Sequence, residues 1–249
     1  MIHQAALLFS LAAAFTLAAQ EGPRQSFESS ATEHIPIRPG GAIRLEHSYG
    51  YLTVEGWDEP EVQITTVKST DRFYKASEKD RAGQRLGQVE IAVQGSGQGV
   101  DVSTNAIARR GFVRSALRGG ETVITLGMRP LDKRGVTVDY TVLVPRASNL
   151  AVRQDSGYIW IAGLTGDLEV RSRAGDLTVL LPDPGPYAID ARTRLGSLTS
   201  DIAGHSAAWF LTGRRFLSSA APAHRVYLRI GRGSIAIKSG PDPGPLWKN

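Results

Sequence analysis

The sequence predicts an all-β protein in which an N-terminal strand-rich region continues into a C-terminal β-solenoid, with glycine at the corners and one short helix near residues 71–86. Three observations carry this. Apolar and polar residues alternate with a period of two along most of the chain, the pattern of half-buried strands. Beyond Pro145, short strands recur in one apolar frame around Gly157, Gly175, Gly196 and Gly233. Helix-type patterning is confined to a single charged segment.

The chain opens with MIHQAALLFSLAAAFTLAAQEG, where Ala5 to Ala19 is almost wholly apolar and ends in small residues suited to cleavage. The run is shorter than the about 18–20 residues a membrane-spanning helix needs. Residues 1–19 therefore read as a secretory signal rather than a retained anchor, and no other stretch is apolar enough to span a membrane. Gln20 to Glu33 is polar and aperiodic, the composition of a flexible leader.

Strands begin near Ile35 with GAIRLEHSYGYLTVEGW and EVQITTVKST. DRFYKASEKDRAGQRL, residues 71–86, is rich in helix formers and predicts a short helix with Phe73, Ala76 and Leu86 toward one side. QVEIAVQ, GVDVST, ETVITLGM and GVTVDYTVLVP resume the alternation, interrupted by an Arg- and Gly-rich loop from Asn105 to Gly120. Residues 34–144 thus form an N-terminal β region, 145–240 the repeats, and 241–249 a tail whose Leu246 and Trp247 could cap an open end.

Within the repeats, Val152, Val170, Ala191 and Leu228 stand five residues before the glycines, and Ile159, Leu177, Leu198 and Ile235 two after. Gly50 fits the same frame with Leu45, Leu52 and Val54, and Gly166 starts a half-step. Such rungs bury their apolar side only by stacking, at about 4.8 Å. Gly50, Gly157, Gly166, Gly175, Gly196 and Gly233 are expected at corners, where a sharp bend needs positive φ. Between Gly196 and Gly233, AAWFLTGRRFLSSAAP reads as a distorted rung. A β-sandwich with regular turns is the structural alternative.

The chain carries 29 Lys and Arg against 24 Asp and Glu, spread without a basic block. That argues against nucleic acid, which calls for concentrated charge, and is compatible with anionic surfaces. There is no cysteine, which excludes disulfides, thiolate metal sites and cysteine nucleophiles. Beside a secretory signal, it suggests an exported bacterial protein in the periplasm, at the cell surface or outside the cell.

Four residues before the glycines stand Arg153, Arg171, Arg192 and Arg229, and Arg173 and Arg194 form a second column two residues before. Their apolar neighbours point inward, so the arginines point outward and stack into a ladder. Like charges side by side are unfavourable, so the ladder needs acidic neighbours (Asp155, Glu169 and Asp190 are placed to interleave) or an anionic ligand. Tyr51, Tyr158 and Trp160 are also outward, suited to stacking on a sugar ring or to lying under a cap.

Catalytic motifs are lacking. His34, His47, His205 and His224 have no metal-ligand spacing, and no nucleophile elbow or phosphate-binding loop occurs. No cofactor is implied. The Gly-Asp pairs of AGDL and TGDL share one feature of calcium-binding repeats without the full pattern. Asp155, Asp176, Asp190 and Asp201 are the acids from which an enzyme would draw, but their spacing fixes no acid/base pair.

VTVDYTVLVPRASNLAVRQDSGYIWIAGLTGDLEVRSRAGDLTV resembles the bacterial putative-adhesin family over roughly residues 43–238. The resemblance implies a β-solenoid, export and a surface or binding role, with no catalytic residue to carry over. Ala203 to Pro222 departs from the pattern. The expected function is an exported, non-enzymatic, adhesin-like binding or structural module that contacts acidic polysaccharide or the cell-envelope surface through its arginine face. The alternatives are a carbohydrate-active enzyme on a β-helix scaffold and a self-associating repeat without ligand.

Overall fold

The structure, a computed structural model, describes residues 23–38, 40–96, 99–106, 135–182, 187–209, 212–218 and 224–241. The expected signal, most of the 105–120 loop, the ETVITLGM strand and the Leu246–Trp247 cap lie outside them. The fold is mostly β-sheet with one short helix, and the sheet is open.

Two long strands organise it: β2 (Ala42–Trp57) and β7 (Asn149–Ala162) run parallel in register, from Ala42 opposite Asn149 to Glu55 opposite Ala162. Each contains a corner glycine, Gly50 and Gly157, with φ of 133° and 131°. Alternation slips by one residue there. Val152 and Gln154 face inward before the corner, and Ile159 and Ile161 after it. A straight strand keeps its parity, so the slip marks the turn between two ladders.

Before the corner, the first ladder runs from β7 to β8 (Leu168–Ala174), β14 (His224–Arg232) and β10 (Tyr187–Leu195), all parallel. After the corner, the second runs from β7 to β9 (Leu177–Pro182), β15 (Ile235–Gly240) and β11 (Leu198–Ser200). β2 and β7 belong to both. Leu45, Val152, Val170, Leu228 and Ala191 form one fully buried column, and Leu52, Ile159, Leu177 and Ile235 another. The stack thus draws its first rung from well before residue 145.

The rungs do not stack in chain order. The last rung, β14–β15, lies between the two that precede it in sequence, β8–β9 and β10–β11. The glycines record the same order. A Cβ on Gly157 would lie 2.0 Å from the Gly50 carbonyl oxygen, and on Gly175 1.8 Å from that of Gly157. On Gly233 it would lie 1.9 Å from the Gly175 oxygen, and on Gly196 2.1 Å from that of Gly233. These glycines are required twice over, by φ and by backbone contact. Gly166 differs from the expected corner. It has no positive φ and instead packs against the Ser148 carbonyl, 2.2 Å from its would-be Cβ.

The insertion has local causes. The segment expected as a distorted rung is an antiparallel hairpin, β12 (Gly204–Trp209) and β13 (Gly213–Ser218), and β13 fills the outer edge of β10. Only the inner edge of β10 remains for β14. The Gly-Asp pairs receive the incoming rung: Asp167 Oδ1 accepts the Arg225 amide and Asp176 Oδ1 the Ser234 amide, each at 2.8 Å.

Polar side chains line the inside of the corner, three residues before the glycines. Gln154 Nε2 donates to Gly50 O, Thr193 Oγ1 to Gly233 O and Ser172 Oγ to Ala174 O. They satisfy backbone carbonyls that the turn takes out of the ladder.

The remaining strands extend both ladders at the β2 end. β6 (Val136–Pro145) pairs parallel with the second half of β2, followed antiparallel by β3 (Glu61–Thr70) and β1 (Glu28–Pro36). β5 (Gly99–Ala106) pairs with the first half of β2, and β4 (Val89–Ser96) with β5. β1 corrects the flexible-leader expectation from Glu28 onward: mostly exposed, it holds its place by backbone pairing to β3 and by Ile35, which packs against the core. The helix α1 (Lys79–Gly87) follows a 3-10 turn at Ala76–Glu78 and buries Ala82 and Leu86. Phe73 lies before it and is 67% exposed, not on its packed side.

Candidate ligand-binding face

The outward side of the first ladder gathers the arginines. Glu46, Arg153, Arg171, Arg229, Arg192 and Arg215 stand in register on β2, β7, β8, β14, β10 and β13. Beside it, two residues earlier on β2, β7, β8, β14 and β10 and two later on the antiparallel β13, Arg44, Ala151, Glu169, Tyr227, Asp190 and Leu217 form a second column. Rungs about 4.8 Å apart bring like guanidiniums close together.

Asp190 resolves the most crowded part. Its carboxylate accepts from Arg229 at 2.7 Å, Arg192 at 3.2 Å and Arg215 at 3.4 Å. Burial pushes this carboxyl upward, but the Arg229 bond and the charges of Arg229, Arg192 and Arg215 outweigh it and hold it below the ordinary carboxylate range. Arg229 also donates to Asp190 O and Leu228 O, and stacks on Tyr227 at 3.7 Å from the ring centre. Arg171 lies 5.2 Å over the same ring and is paired with Glu169 at 2.6 Å. Arg192 lies 5.4 Å over Trp209, and its Nε is buried without a partner.

Arg173 and Arg194 occupy equivalent positions but are not neighbours. The inserted rung puts Gly231 between them, its would-be Cβ 2.5 Å from Arg173 O. Arg173 pairs with Asp155 at 3.4 Å. Asp155, Glu169 and Asp190 do interleave with the arginines, as alternation places them. Arg153, Arg194 and the Arg225 side chain are exposed and have no ion-pair partner among the described residues. One carboxylate serves three guanidiniums at Asp190, so positive charge is in excess on this face.

The aromatics anticipated from sequence lie elsewhere. Tyr158 and Trp160 follow the corner and belong to the second ladder, where Tyr158 donates to Thr178 Oγ1 at 2.9 Å and its ring lies 6.2 Å from that of Tyr51. The rings that do meet arginines are Tyr227 and Trp209. Tyr227 carries a legible signal, since it fills the slot held by Glu169 and Asp190 in neighbouring rungs. Trp209 does not, because its segment lacks the repeat pattern.

The acids considered for catalysis are separately engaged. Asp155 and Asp190 bind arginines, Asp176 accepts the Ser234 amide and Asp201 the Ser239 amide at 2.8 Å. His34 pairs with Glu61 at 2.8 Å, and His47 is buried with Nε2 donating to Val138 O at 3.0 Å. Among the described residues, no three acids or histidines are grouped to hold a metal ion, and no helix is long and apolar enough to cross a membrane.

No family model matches this chain, and no curated protein matches it. Among solved structures, one described as a putative cell adhesion protein from Clostridium sporogenes aligns over 85% of this chain and 100% of its own. The two are 14% identical and the TM-score is 0.45.

Proposed function

We propose that this protein is an exported, non-enzymatic, adhesin-like binding module: a β-solenoid with one inserted rung, whose arginine face holds an anionic polymer of the cell envelope or its surroundings. The observation that supports this most is the in-register arginine column, where three guanidiniums share the Asp190 carboxylate, while Arg153 in the same column and Arg194, two residues beyond Arg192 on β10, stand without an ion-pair partner among the described residues. Stacked guanidiniums at rung spacing present a row of fork-shaped donors to carboxylate, sulfate or phosphate groups. Export through the signal expected at residues 1–19 would bring such a face to envelope polymers.

The ion pairs decide which arginines to change. Arg171 and Arg192 hold Glu169 and Asp190, so replacing them disturbs the face as well as any binding. Arg153 and Arg194 have no such duty. The wild-type protein is expected to be retained on immobilised polygalacturonate at low ionic strength and released near 1 M salt, where the Debye length shrinks to about 3 Å. Arg153→Ser with Arg194→Ser weakens retention while leaving the unfolding midpoint unchanged. Absence of retention at low salt, or retention indifferent to both arginines, rejects the proposal.

A further inference from the structure

The arginine column is flanked by a recess it does not include. An open cavity of about 490 Å³ lies on the same side, over the starts of β2, β7, β8 and β14. Its size falls within the roughly 300–1,000 Å³ of small-ligand sites. Ala151, which lines it with Ala42, is the small member of a column whose neighbours are Arg44, Glu169 and Tyr227. The missing side chain leaves a notch with an apolar floor and charged walls.

Those walls have a definite chemistry. Arg44, Arg171 and Arg225 line it together with Asp167 and Glu169. The Arg225 guanidinium has no side-chain partner among the described residues. Asn149 uses Oδ1 to accept the Asp167 amide at 2.9 Å, so its NH₂ is the part turned to other uses. Tyr227 is fixed under Arg229, which Asp190 fixes in turn. Such a wall is pre-organised and loses little freedom when a ligand packs against it.

The geometry points to a subsite for one pyranose ring bearing a carboxylate, that is, a uronic-acid residue of the polymer. Its carboxylate pairs with Arg225 beside Arg44, its hydroxyls donate to Glu169 and accept from Asn149, and its C–H face packs on Tyr227 and Ala151. This rests on the reading of the face as a polyanion site and adds which sugar it selects. A smooth basic surface would recognise charge alone; the notch reads one ring.

Titration calorimetry of the purified protein with trigalacturonate, and with its fully methyl-esterified form, tests this. The acid form is expected to bind about tenfold more tightly than the ester, the equivalent of about 1.4 kcal/mol. Ala151→Tyr fills the notch, removes no charge and adds a residue favoured in strands; it should weaken trigalacturonate about tenfold and keep salt-sensitive retention on the polymer. Arg225→Gln should weaken it similarly, and provides the test if Ala151→Tyr does not fold. Equal binding of acid and ester, or trisaccharide affinity unchanged by these substitutions, overturns the subsite while polymer retention still supports the face. Loss of polymer retention by the wild-type protein overturns both.

Discussion

His47 shows how a buried polar residue ties the corner to pH. Burial pushes it down to about 4 from an ordinary value of 6.5, outweighing the upward pull of the hydrogen bond to the Val138 carbonyl. Nε2 faces a carbonyl oxygen and so carries the proton, leaving Nδ1 buried without a partner, as is Gln154 Oε1. The native pKa is below the unfolded one, so between pH 6.5 and 4 the unfolded chain takes up a proton that the native chain refuses. This contribution to stability is complete above pH 6.5 and is lost as pH falls toward 4, with a size on the order of 3 kcal/mol. His47→Gln is expected to flatten that loss, read as the difference in urea midpoint between pH 4.5 and pH 7. An unchanged pH dependence would show that other groups carry it. The outward arginines were legible in the sequence because alternation assigns every second residue to one side. His47 was not, since a histidine beside a corner glycine looks the same in sequence whether buried or exposed.

Rungs were legible through their glycines because geometry leaves no alternative residue. Gly175 combines φ of 114° with a would-be Cβ 1.8 Å from a carbonyl. Gly175→Ala should therefore cost more than about 3 kcal/mol, as backbone strain and backbone collision add. Gly83 in α1 has nothing within 4 Å of its would-be Cβ, and Gly83→Ala should stabilise by about 0.5–1 kcal/mol through helix propensity. The pair of unfolding curves measures both, and a tolerated Gly175→Ala would contradict the column. Gly166 was misread because a glycine that admits a close neighbour and one that supplies positive φ are written alike. The polar residues His47, Gln154, Ser172 and Thr193 recur three residues before their glycines. An apolar template passes over such a pattern, which Ile230, three residues before Gly233, interrupts.

Rung order was not legible at all. Repeats identify which segments are alike, and any order of like segments buries the same columns. The order was decided by the hairpin β12–β13, which occupies one edge of β10, and by Asp167 and Asp176, which bind amides of the returning chain. The consequence for function is direct: Arg229 fills the gap between Arg171 and Arg192, and Tyr227 comes to stand beside the notch. Everything proposed for the face depends on the last rung lying between its two predecessors. The absence of native cysteine makes a clean test by paired substitution. Thr199→Cys with Ala236→Cys joins residues opposite one another on adjacent strands. Thr178→Cys with Thr199→Cys joins positions separated by the inserted strand, about two strand spacings apart and beyond disulfide reach. Under mild oxidation the first pair is expected to form an intramolecular disulfide and the second to remain as free thiols. A disulfide in the second pair and none in the first would mean that the rungs stack in chain order, and would remove Arg229 and Tyr227 from the face.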